Sequence, residues 1–103
     1  MNAELSTLDA GRYALEGEVT AETVPTLWPQ IVAVATKGGA VQVSCAGITR
    51  ADSAAVACLV EWVRVARGVG GSLQVCDLPD VMKVIMEVSD LDGILTGAAA
   101  TPV

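Results

Sequence analysis

Two short runs of mixed apolar and polar residues, Glu4 to Leu8 and Arg12 to Val19, flank the turn-forming segment Asp9-Ala10-Gly11. That arrangement predicts a β-hairpin. From Thr20 onward the period changes. Val24, Leu27, Trp28, Ile31, Val32 and Ala35 fall at helical spacing, with Thr20 or Thr23 available as N-cap and Gly38-Gly39 as the stop. Pro25 suits a first helical turn, whereas Pro29 predicts a kink or a late start. Val41 to Cys45 reads as a third strand and Ala46 to Asp52 as a loop. A second helix is predicted from Ser53 to Arg67, ending at Gly68 and Gly70-Gly71. Ser72 to Cys76 is then a fourth strand, and Leu78-Pro79-Asp80 leads into a third helix through Val88, with Val81, Val84, Ile85 and Val88 as its core stripe. A short final strand or turn is predicted around Gly93 to Leu95, before an Ala-rich end.

Strands alternating with helices require crossover connections, so the later strands should be parallel while the opening pair is antiparallel. The expectation is a single α/β domain over residues 1–96, a mixed four- or five-stranded sheet with about three helices packed on it, and a flexible C-terminal tail over 97–103.

The second helix carries more apolar surface than one sheet contact needs. At about 100° per residue, Val56, Leu59, Val60 and Val63 form one stripe, and Ala55, Cys58, Trp62, Val65 and Ala66 form another. Only Glu61 and Arg64 make a clearly polar sector. The second stripe either packs against a neighbouring helix or is offered to another protein, with Trp62 as its anchor. Met82 and Met86, one turn apart on the third helix, read as core or flank packing, and the exposed part of that helix around them is the next docking candidate.

Apolar residues make up 52% of the 103, yet no segment supplies the roughly 18 consecutive apolar residues of a membrane span. The nearest, Thr23 to Thr36, is interrupted by Pro25, Pro29 and Gln30. Met1 to Leu8 has no basic stretch or apolar h-region, so a cytoplasmic chain is expected. A net charge of -6 repels phosphate backbones and anionic lipid heads, which excludes nucleic-acid partners and direct membrane insertion from the expected functions.

Cys45, Cys58 and Cys76 lie in apolar runs without CxxC spacing and read as buried small hydrophobes. With no histidine and no GxxxxGK[ST] loop, no catalytic residue, metal ligand or cofactor site is expected. The acidic residues Asp77, Asp80, Glu87, Asp90 and Asp92 are scattered and read as solvation. Ser53, following Asp52 and opening an apolar-periodic run, has the chemistry of an N-cap; a helix N-terminus is also a natural contact point for a partner or a phosphate. Arg50 either pairs with Asp52 or stays solvated.

Three segments in this order resemble the STAS family: Leu15-Glu16-Gly17-Glu18-Val19, then Arg50-Ala51-Asp52-Ser53-Ala54-Ala55-Val56-Ala57-Cys58-Leu59-Val60, then Leu73-Gln74-Val75-Cys76-Asp77-Leu78. That family includes anti-sigma factor antagonists, the cytosolic tails of sulfate transporters, and the STAS subunit of the Mla-type phospholipid ABC transporter. The Leu27-Trp28 pair makes the last of these the nearest likeness.

The resemblance implies a non-catalytic subunit that binds the ATPase of such a transporter, with the permease in the same complex, at the cytoplasmic face of the membrane. Partner contacts are expected at Asp52, Ser53, Ala54, Ala55, Cys58 and Trp62. The alternative it implies is an antagonist in a partner-switching pathway, in which an anti-sigma factor kinase phosphorylates Ser53. Where the family usually has Gly after the phosphorylatable position this chain has Ala54-Ala55, which predicts a stiffer loop and reduced access to Ser53.

Overall fold

The computed structural model describes residues 2–88. Its elements run β1 (Ala3–Asp9), β2 (Arg12–Val19), α1 (Val24–Ala35), β3 (Ala40–Ser44), β4 (Ile48–Ala51), α2 (Ser53–Gly68), β5 (Ser72–Cys76) and α3 (Asp80–Val88). The expected strand or turn at Gly93 to Leu95 and the tail over 97–103 lie outside the described residues.

The hairpin forms where the turn residues predict it, with Leu5 opposite Leu15 and an Arg12–Asp9 ion pair at 3.0 Å beside the turn. Strand β2 organises the sheet. Its one edge pairs antiparallel with β1; its other edge pairs in parallel first with β3, through Arg12 to Ala14, and then with β4, through Gly17 to Val19. Strand β5 pairs in parallel with β3 from Ala40–Ser72 to Ser44–Cys76, completing a mixed five-stranded sheet in the order β1-β2-β3-β5, with β4 on β2.

The change of neighbour along β2 takes place at Gly17. Its φ of +91° is left-handed, its N–H donates to Gly47 O at 3.0 Å, and the next residue's N–H donates to Asn2 O at 2.7 Å. A Cβ at this position would stand 2.3 Å from Asn2 O, so only glycine fits.

Strand β4 falls within the segment read from sequence as a loop. Ile48 is buried but Thr49 and Arg50 are exposed, so no period-2 pattern advertises a strand. Its conformation is set by pairing with β2, some 30 residues earlier in the chain.

Alternation along β2, β3 and β5 turns Tyr13, Leu15, Val41, Val43 and Leu73 into the core and leaves Arg12, Glu16 and Gln74 exposed. Helix α1 begins at Val24 despite Pro29, which lies on its exposed side, so the late start does not occur. Its N-cap residue Thr23 does not cap through its side chain. The hydroxyl instead donates to Glu18 O at 2.6 Å and accepts from Thr20 N–H at 3.0 Å, tying the helix entry to the end of β2.

Both stripes of α2 are covered. Val56, Leu59, Val60 and Val63 are buried, as are Ala55, Cys58, Trp62 and Ala66, because α2 packs against α1, α3 and β5 at once. Trp62 is 0% exposed. Its nomination as a docking anchor is therefore corrected: it is a core residue.

The stripe assigned to α3 is corrected too. Met82 and Met86 are buried and Ile85 half-buried, whereas Val81 and Val84 are 47% and 58% exposed. Positions 82, 85 and 86 satisfy helical spacing as well as 81, 84 and 85 do, so periodicity did not choose between them. The adaptable thioethers take the packed side, and the exposed part of α3 around them includes Val81 and Val84.

This assignment predicts that Met82→Ala costs about 2–5 kcal/mol in chemical denaturation while Val84→Ala stays within about 0.5 kcal/mol. Comparable losses for the two would reverse the orientation of α3.

Candidate functional site

The ends of β2 and β4 bring the entry to α1 and the N-terminus of α2 side by side. Asp52, between β4 and α2, has extended backbone (φ -130°, ψ -169°) and is the N-cap. Its Oδ1 accepts from Ala54 N–H at 2.9 Å, and its backbone oxygen accepts from Ala55 N–H at 3.0 Å. The cap predicted for Ser53 thus belongs to the residue before it, since an aspartate serves the same orphan donors and adds a negative charge at the positive end of the helix.

Relieved of that role, Ser53 is the first helical residue and is exposed, and its hydroxyl has no hydrogen-bond partner among the described residues. The second Asp52 oxygen, Oδ2, accepts from Ala21 N–H at 3.2 Å, across the gap to the α1 entry. Arg50 does not pair with Asp52; its guanidinium stands 3.9 Å from Glu18 and is largely solvated.

Beside this mouth, a groove of about 260 Å³ lies between α1 and α2, lined by Val24, Trp28, Ala54, Ala57, Cys58 and Glu61. Its walls are apolar, with half-buried Trp28 as the largest side chain and Glu61 as the only carboxylate among these six residues. Glu61 is held by Arg64 at 3.0 Å. The surrounding rim carries Glu22 and Asp52 in an adjoining polar depression with Thr20 and Arg50.

Of the six residues nominated from sequence, Asp52, Ser53 and Ala54 come together at the mouth and Cys58 lines the groove wall. Ala55 and Trp62 are buried in the core and take no part. Trp28 lines the groove without being among those six. The available signal was an aromatic residue immediately after the core position Leu27, between two prolines that sit on the exposed side of α1.

Burial pushes the Cys58 thiol up to about 11. Burial, and then the neighbouring Cys76, Asp77 and Cys58, push the Cys45 thiol up to about 12. Neither supplies thiolate near neutral pH. Among the described residues no three His, Cys, Asp or Glu side chains gather as a metal site, and no helix is long and apolar enough to cross a membrane.

A family model described as "Mlab, STAS domain" matches residues 4–96. No curated protein matches the chain by sequence. Among solved structures, the anti-sigma factor antagonist SpoIIAA in its unphosphorylated form is similar at 15% identity, with a TM-score of 0.62 over 90% of this chain and 97% of that one. The Bacillus cell fate determinant SpoIIAA in the phosphorylated form is similar at 15% identity, with a TM-score of 0.68 over 92% of this chain and 88% of that one. At that identity the likeness is one of fold.

The raised thiols generate a test. Both folded-state values lie above the ordinary 9.0, so the unfolded chain releases these protons first. Their contribution to stability is complete below pH 9 and is lost as pH rises through about 11 and 12. Alkaline titration followed by circular dichroism should show unfolding in that window. At pH 8, half-buried Cys76 should be alkylated well before Cys45 and Cys58, read by peptide mass spectrometry; equal rates for the three would contradict the burial.

Proposed function

We propose that this chain, which belongs to the STAS domain family of regulatory proteins, is a non-catalytic accessory subunit that docks on the ATPase of a Mla-type phospholipid ABC transporter. The observation that carries the proposal is the apolar groove between α1 and α2, opening beside exposed Ser53. The description of the matching family model, Mlab, gives the reading its direction. The subunit would sit at the cytoplasmic face of the membrane through its complex, with the permease in the same assembly.

In this reading a bulky apolar side chain of the ATPase fills the groove against Trp28 and displaces water from Val24, Ala54 and Ala57. Basic residues around that plug meet Glu22, Asp52 and Glu61. Charge complementarity of this kind speeds encounter and fixes register more than it adds affinity, so association should slow as salt rises. The ATPase keeps all of the chemistry; this chain stabilises or regulates it.

Exposed Ser53, with its hydroxyl unengaged among the described residues, favours a second reading: an anti-sigma factor antagonist whose docking is controlled by a kinase acting on Ser53. A phosphate there adds about -1.5 to -2 charges next to Asp52 and the acidic rim, which would weaken docking to an apolar or acidic partner.

Co-purification of the tagged chain from its native host separates the two: an ATPase with its permease supports the first, a kinase-like anti-sigma factor the second. In the first case Trp28→Ala should weaken ATPase capture by about 30-fold or more, the equivalent of a hot spot of about 2 kcal/mol. Ser53→Glu should weaken it as well, and Val84→Ala, on α3, should leave it unchanged. Thermal unfolding of each variant controls for stability. Full capture by a folded Trp28→Ala variant would remove the groove from the interface.

A further inference from the structure

We infer that Asp52 is the positioning residue of the groove: its single carboxylate ties the two walls together and sets how α1 stands against α2 at their open end. The inference rests on the docking reading only for its use, because the tie itself is visible in the unbound chain. Oδ1 is committed to Ala54 N–H at 2.9 Å, on the α2 wall, and Oδ2 to Ala21 N–H at 3.2 Å, three residues before Val24 of the α1 wall.

The segment between Ala21 and Val24 is itself stiff. Thr23 N–H and Val24 N–H both donate to Thr20 O, at 3.1 and 2.9 Å, and Glu22 N–H donates to Thr20 Oγ1 at 3.3 Å. A displacement of Ala21 therefore carries into the first turn of α1, and one turn further on lies Trp28. Among the described residues no other side-chain hydrogen bond crosses from this entry to α2. Apolar packing between the helices is non-directional, so it resists separation without itself fixing the position of the α1 entry as a directed hydrogen bond does.

The two functions of the carboxylate are separable by chemistry. Asparagine is as good an N-cap as aspartate. Its one carbonyl oxygen can keep the bond to Ala54 N–H, but its amide nitrogen is a donor and cannot accept from Ala21 N–H. Asp52→Asn thus removes the tie and retains the cap, whereas Asp52→Ala removes both.

The experiment uses the isolated full chain. In Asp52→Asn, water exchange at the Ala21 amide measured by NMR should accelerate about fivefold, the effect of losing one net hydrogen bond, while the Ala54 amide keeps its parental rate. The chain has two tryptophans, and Trp62 is inaccessible, so acrylamide quenching reports Trp28. Quenching should rise in Asp52→Asn with a melting temperature lowered by several degrees, and rise no further in Asp52→Ala, whose additional loss is one of stability.

A purely capping role would instead leave Ala21 exchange and Trp28 quenching at parental values in Asp52→Asn, and that result overturns the inference. Failure of the parent chain to capture an ATPase would overturn the docking reading and leave these measurements untouched.

Discussion

Helix α2 has to be covered on three sides, and most of the architecture is the means of doing so. Eight of its sixteen residues are buried, from Ala55 to Ala66, and they occupy more than half of its circumference. At roughly 25 cal/mol per Å² of apolar surface, leaving either stripe in water would cost several kcal/mol, a large share of a small domain's stability. Strand β5 and helices α1 and α3 all pack against it, and between them both stripes are covered. Trp62 takes its place at 0% exposure even though its indole N–H finds no acceptor among the described residues, a penalty that the burial of so large a side chain outweighs.

The groove follows from the same constraint. Helices α1 and α2 pack against each other, and at the groove the Asp52 carboxylate bridges the α1 entry and the start of α2. Charge is arranged around this opening without being used inside it. Glu61 is neutralised by Arg64 and Arg50 leans toward Glu18, both pairs solvated enough to contribute little to stability. The result is an apolar slot with an acidic margin.

Legibility in the sequence tracked how local each determinant is. The hairpin, the ends of α2 and β5 and the alternation along β2 depend on neighbouring residues, and they were readable. Strand β4 was not, because exposed Thr49 and Arg50 are held extended by β2 and not by any pattern of their own. The face of α3 was ambiguous because valines and methionines satisfy the same spacing. Asp52 and Ser53 are adjacent residues with the same capping chemistry, and only backbone geometry distributes the roles. Trp62 was misjudged for a related reason. Excess apolar surface on one helix states that a neighbour exists, and whether that neighbour is α1, α3 or another protein is a question of topology. Asp52 and Ser53 stand together at the mouth beside the groove, and Trp28, which lines it from just off the buried face of α1, is not marked by the spacing of that helix.

The alanines after Ser53 gain a physical meaning from this placement. Ala54 lines the groove and Ala55 is buried in the core, while Ala57, one turn on, is exposed at the groove's edge. Glycine at these positions would also keep the space open, but each would cost the first turn of α2 about 1 kcal/mol of helix propensity. A larger side chain at 54 or 57 would keep the helix and fill the concavity. Alanine alone meets both demands, a firm helix start and an unfilled wall. The stiffness of the loop therefore need not work against docking: a contact surface ordered before its partner arrives loses less conformational entropy on binding than one that must be ordered afterwards.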